Sequence, residues 1–203
     1  MNRILEQACQ QVSSGNLSQA IALWDTFLET HPDCAEAFHE RAAIKGVEGQ
    51  DGYGMLADYK RATELNPENK HYRYSYHFAL GGAMHAAFYD ESAPELLHQA
   101  IENYTLAEHS FNEHQHVYEY RGTAYMLLGK TAEAMADFSS AIEINPQSAS
   151  AYFLRGTLLH QVGRRAEAKE DYESAFERQH SLEPSTLEEL ETCYADLLTE
   201  LLG

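Results

Sequence analysis

Basic residues are scarce. Only 14 Lys and Arg stand against 32 Asp and Glu, a formal net charge of −18. Phosphate backbones draw proteins through Lys and Arg, so nucleic acid is not an expected partner. The acid excess otherwise reads as solvated outer faces that favour solubility. Cysteine is rare too: Cys9, Cys34 and Cys193 are odd in number and show no C-x-x-C spacing. That leaves no disulfide framework and no metal-ligand rhythm, and the three read as reduced thiols in a cytoplasmic protein. No window approaches the roughly 18 apolar residues of a membrane span, and the opening MNRILEQACQQ lacks the apolar core of a signal peptide. The chain is therefore expected to stay in the cytoplasm, without a membrane partner. Also missing are G-x-S-x-G, a P-loop, a Gly-rich dinucleotide turn and H-E-x-x-H. Enzyme activity has no motif to stand on, and no catalytic residue, cofactor or metal is expected.

What the chain does have is repetition. RGTAYMLLG at 121–129 returns 34 residues later as RGTLLHQVG at 155–163. At the same interval Tyr118 matches Tyr152, Ala134 matches Ala168, Phe138 matches Tyr172 and Ala141 matches Ala175. One period upstream, Ala100, Tyr104 and Ala107 fall in register, and MLADYKRATELNP (55–67) and AIALWDTFLETHP (20–32) carry the same marks, making five copies. With 44% hydrophobic and 23% charged residues, the chain has the composition of a soluble globular protein.

Each mark has a physical reason. Ala8, Ala42, Gly122 and Gly156 stand where one helix must close on the next, which a large side chain would prevent. Gly15, Gly49, Gly129 and Gly163 fall where a left-handed residue ends a helix. Trp24, Tyr59, Tyr104, Phe138 and Tyr172 fill the space between units. Pro32, Pro67 and Pro146 close second helices, because the residue before a proline avoids helical geometry.

The pattern resembles the tetratricopeptide repeat (TPR) family, most tightly over 115–148. The resemblance implies an all-α, right-handed superhelical solenoid of five helix pairs plus a C-terminal capping helix, in one domain over 1–203. The repeats would run at about 1–34, 35–69, 70–114, 115–148 and 149–180. After 180 the chain leaves the pattern. Ser185 and Glu188 have capping-box spacing, and Leu187, Leu190, Tyr194, Leu197, Leu198 and Leu201 recur at helical intervals, so an amphipathic helix over 185–202 is expected to cover copy five.

Copy three is irregular. Met55 to Ala100 spans 45 residues where a regular step is 34. The excess of eleven is about three helical turns, which returns an apolar stripe to its own face. A long first helix over 70–90 and a turn at DESAP fit better than a normal helix with a long loop. Gly81 and Gly82 inside it would each cost about 1 kcal/mol against Ala.

A second covariation concerns charge. Arg41, Arg121 and Arg155 share one first-helix slot, Asp58, Asp137 and Asp171 share one second-helix slot, and in copy one both are replaced together by Gln7 and Leu23. An ion pair between the two helices of each of those copies is expected, with a structural role.

For function, the resemblance implies a groove lined by first helices. Its positions are Glu36, His39, Glu40 and Ala43; His116, Glu119, Tyr120 and Thr123; Ser150, Phe153, Leu154, Thr157 and His160, joined by Tyr74 and Phe78. TPR co-chaperones that grip acidic tails place Lys, Asn and Arg in such a groove. Leu5, Cys9, Glu40, His71 and Ser75 stand here instead, so a basic or apolar protein segment is the expected partner. The reading is a non-catalytic scaffold. The alternatives are a chaperone for a secreted or assembling subunit and, third, a metal-binding or enzymatic role where His109, Glu113, His114 and His116 gather. Self-association through the N-terminal repeat stays open, because Ile4, Leu5 and Val12 form an apolar edge.

Overall fold

The structure, a computed structural model, describes residues 3–202. Among them are eleven α-helices, one 3-10 turn and no strand. The chain forms two compact units, Met1–Ala83 and Met84–Gly203.

The first unit holds α1 (Arg3–Ser13), α2 (Leu17–Thr30), α3 (Ala35–Glu48), α4 (Gly52–Leu65) and the opening of α5 (Lys70–Glu91). Ala8 on α1 is fully buried, which lets α2 come close. Trp24, Phe27 and Leu28 of α2 then pack with Ala37 and Ile44 of α3 in one core, with Ile4, Leu17 and Phe38 around it. Gly15 and Gly49 have φ of +77° and +75°, the left-handed geometry expected at these two turns. The Asp51 side chain accepts from the Gly54 N–H at 2.8 Å and starts α4. Asn69 does the same for α5, accepting from the N–H groups of His71 and Tyr72. The expected edge side chain of Leu5 lies outside the described residues.

α5 is 22 residues long and runs unbroken through Gly81 and Gly82. It ends at Glu91; Ser92 follows, a non-glycine residue with φ of +52°, two residues before Pro94 opens α6 (Pro94–Ser110).

The second unit continues with α6, α7 (Gln115–Leu127), α8 (Thr131–Ile144), α9 (Ala149–Gln161), α10 (Arg165–Glu177) and α11 (Pro184–Leu202). Here the need for small residues is explicit. A Cβ on Gly122 would lie 2.6 Å from the Phe138 ring, and one on Gly156 would lie 2.8 Å from the Tyr172 ring. Both rings are fully buried. α8 stops at Ile144, two residues before Pro146, just as α2 and α4 stop two residues before Pro32 and Pro67.

Copy five has no such proline, and α10 gives way to a 3-10 turn at Gln179–Ser181. α11 begins at Pro184, so Ser185 lies inside the helix and does not cap it, a correction to the expected capping box. Proline suits a first helical position, where its missing N–H is not needed. Leu190 and Leu197 of α11 are fully buried against Tyr172 and Ala175, while Leu201 stays exposed.

A candidate protein-binding face

The repeated Arg and Asp charges are consumed within the fold. Arg121 Nε and Nη2 each donate to Asp137 at 2.8 Å, and Arg155 holds Asp171 by two bonds of 2.7 Å. Arg41 grips Asp58 in the same two-pronged way. The third arm of each guanidinium reaches the preceding second helix: Arg41 to Asp25, Arg121 to Thr105 and Glu108, Arg155 to Ser139. Asp25, Thr105 and Ser139 each stand sixteen residues before the arginine they meet, so this third contact follows the repeat as well. For Arg121, burial works against the charge, but the bonds to Asp137 and Glu108 outweigh it and raise its pKa. Lys45 is engaged by Asp51 and Asp58 at 3.2 Å each.

The groove positions divide into buried and accessible ones. His39, Glu119 and Phe153 occupy one slot of α3, α7 and α9, and are only 7%, 6% and 7% exposed. His39 Nε2 meets the Ser75 hydroxyl at 2.9 Å, and its ring leans on His71 and Tyr72. Glu119 accepts from the hydroxyls of Ser148 and Ser150 at 2.8 and 3.0 Å, from Gln115 at 3.2 Å and from His116 Nδ1 at 3.1 Å. Burial would raise its pKa, but these donors prevail and lower it; the same bond raises that of His116. Phe153 packs on Tyr172. The slot joins one element to the next and leaves little for a partner to touch.

Tyr74 is buried as well, stacked on half-buried Phe78, and burial pushes its hydroxyl up to about 12. Thr123 and Thr157 turn their hydroxyls back to the carbonyls of Glu119 and Phe153. His160 is within 3.3 Å of Glu200 on α11. Glu40 in the first unit, and His116 and Tyr120 in the second, are exposed, with Leu154 half-buried. The hydrogen bond from His39 keeps the Glu40 carboxyl below its usual range.

In the first unit the face opens into a cleft of about 630 Å³, lined by Val12, Trp24, Ala43, Ile44 and Val47 with Glu40 at its side. Val47 is 76% exposed. The sequence reading missed Val47 and Trp24 as lining residues, although Val47 lies four positions after Ala43, one helical turn along the same face.

At the histidine-rich join, His116 is tied to Glu119 and the His114 ring rests on Phe111 at 4.9 Å. Among the described residues no three His, Cys, Asp or Glu side chains form a group able to hold a metal ion, and no helix is long and apolar enough to cross a membrane.

A family model described as TPR repeat matches residues 122–163, and one described as tetratricopeptide repeat matches residues 149–179. No curated protein sequence matches the chain. Among solved structures, MamA is similar with a TM-score of 0.68 at 18% identity, over 89% of this chain and 96% of that one. TTC0263, a thermophilic TPR protein in Thermus thermophilus, gives 0.64 at 22% identity over 97% of both chains. YrrB, a TPR protein with an unusual peptide-binding site, gives 0.61 at 19% identity over 88% of this chain and 86% of that one. At these identities the likeness is one of fold. The chain carries tetratricopeptide repeats and has the fold of tetratricopeptide-repeat proteins.

Proposed function

We propose that the chain is a non-catalytic interaction scaffold that holds a basic, partly apolar segment of another protein against its first-helix faces. The cleft of the first unit carries this reading. Its walls are apolar, Glu40 is the one carboxylate among its described lining residues, and the neighbouring cations Arg41 and Lys45 are engaged by aspartates. An apolar side chain gains on entering such a site, and an adjacent Lys or Arg of the segment meets Glu40. A second copy of this chain is a poorer occupant, because it would bring another net charge of −18. The peptide-binding site named for YrrB, which shares the fold, supports the class of function.

A random-peptide display selection against the full chain tests the proposal. Selected peptides are expected to combine Lys or Arg with large apolar residues, and to lose about tenfold in affinity on Glu40→Lys, a repulsive change beside a bound cation. Enrichment of acidic peptides, or binding indifferent to Glu40→Lys and Val47→Ser, would overturn it.

A further inference from the structure

The end of α5 is built against helix electrostatics. Its last turn carries no basic residue and finishes in Tyr89, Asp90 and Glu91, all exposed. Carboxylates at a helix C-terminus face the negative end of the macrodipole, where Lys, Arg or His is favoured. A local rule broken with no basic residue in the turn to offset it points to something outside the chain.

The same stretch meets an unusual aromatic group, all within the second unit. His85 is 6% exposed, and neither ring nitrogen has a hydrogen-bond partner among the described residues. Its ring is nearly parallel to that of Tyr89, with centroids 5.8 Å apart and planes at 9°. It stands edge-on to Tyr104 and Tyr120, at 6.4 and 6.5 Å, and those two tyrosines stack at 6.1 Å. Tyr89 and Tyr120 are 65% and 48% exposed, so two electron-rich rings set near right angles through His85 present their surfaces to solvent, at the helix end that also carries Asp90 and Glu91. Burial lowers the His85 pKa, which keeps the ring neutral and removes any repulsion toward a cation.

We propose that this corner of Tyr89, His85 and Tyr120, flanked by Asp90 and Glu91, receives an arginine side chain of the bound polypeptide. A guanidinium is planar and weakly hydrated, stacks on aromatic faces and pairs with carboxylates at its edge, so it satisfies both halves of the site. The inference rests on the scaffold reading and adds a second contact point, distinct from the first-unit cleft.

The test is an NMR titration of the full chain with N-acetyl-arginine methylamide, N-acetyl-lysine methylamide and the uncharged isostere N-acetyl-citrulline methylamide. The arginine derivative is expected to bind best, with shifts concentrated on Tyr89, His85 and Tyr120. Tyr89→Leu and Tyr120→Leu should each weaken it about three- to fivefold, the range of an exposed cation–π contact. Asp90→Asn with Glu91→Gln should weaken it similarly and flatten its salt dependence. Both tyrosines are exposed, so an unchanged helical spectrum will accompany the loss. Equal binding of the citrulline derivative, tighter binding of the lysine derivative, shifts spread over the acidic faces of α10 and α11, or Leu variants that bind like the original chain would each overturn the assignment. Peptides from the display selection that still bind while the titration fails would refute this corner and leave the scaffold reading intact.

Discussion

Ser148 donates its hydroxyl hydrogen to Glu119 at 2.8 Å and accepts the Ala151 N–H at 3.2 Å, so a buried carboxylate on α7 orients the residue that caps α9. A negative charge at a helix N-terminus is favourable, and here it comes from the preceding repeat. The contact therefore turns one repeat's side chain into the start signal of the next.

Acid and base should each weaken that junction, acid through Glu119 and base through His116. The folded pKa of Glu119 lies below its usual 4.5, so the stabilisation it supplies is present at neutral pH and is lost as pH falls through that lowered value. The folded pKa of His116 lies above 6.5, so its contribution is full below 6.5 and is lost as pH rises through the raised value. Thermal unfolding of the chain and of His116→Gln should therefore differ more near about pH 6 than near about pH 9. Ser148→Ala should cost about 1 kcal/mol at either pH, as the loss of an N-cap does.

The Arg121–Asp137 pair should behave as one unit. Both side chains are nearly buried, so removing either partner strands a charge and is expected to cost about 3–5 kcal/mol. In a denaturant-unfolding cycle, Arg121→Ala combined with Asp137→Ala should be far less damaging than the sum of the two. Additive losses would show that the residues act separately.

Two glycine substitutions should have opposite signs. At Gly122 a methyl group would collide with the buried Phe138 ring, and overpacking of this kind costs about 1–3 kcal/mol. At Gly82, inside α5, a Cβ meets no atom within 4 Å. Gly82→Ala should stabilise the chain by up to about 1 kcal/mol through backbone entropy. Urea midpoints of the two variants, measured side by side, check both.

The repeat spacing made the helix pairs, their glycine turns and their proline stops legible, because these depend on backbone geometry that residue type reports directly. The Arg–Asp pairing was legible for another reason: both partners disappear together in copy one. The fate of the slot at His39, Glu119 and Phe153 was hidden. Residue type alone placed two polar side chains on an open groove, whereas Ser75, Ser148 and Ser150 supply the hydrogen bonds that make their burial tolerable. Tertiary partners of that kind leave no mark on local periodicity. Ser185 misled in the opposite sense, since Pro184 had already taken the first helical position.

Trp24 is the chain's single tryptophan, and it forms part of the wall of the first-unit cleft. Indole emission therefore comes from one address. Fluorescence will register a guest arriving there without any attached dye. It will also follow the melting of Met1–Ala83 alone, while circular dichroism averages over every helix. Two curves that fail to superimpose would reveal the two units giving way at different temperatures.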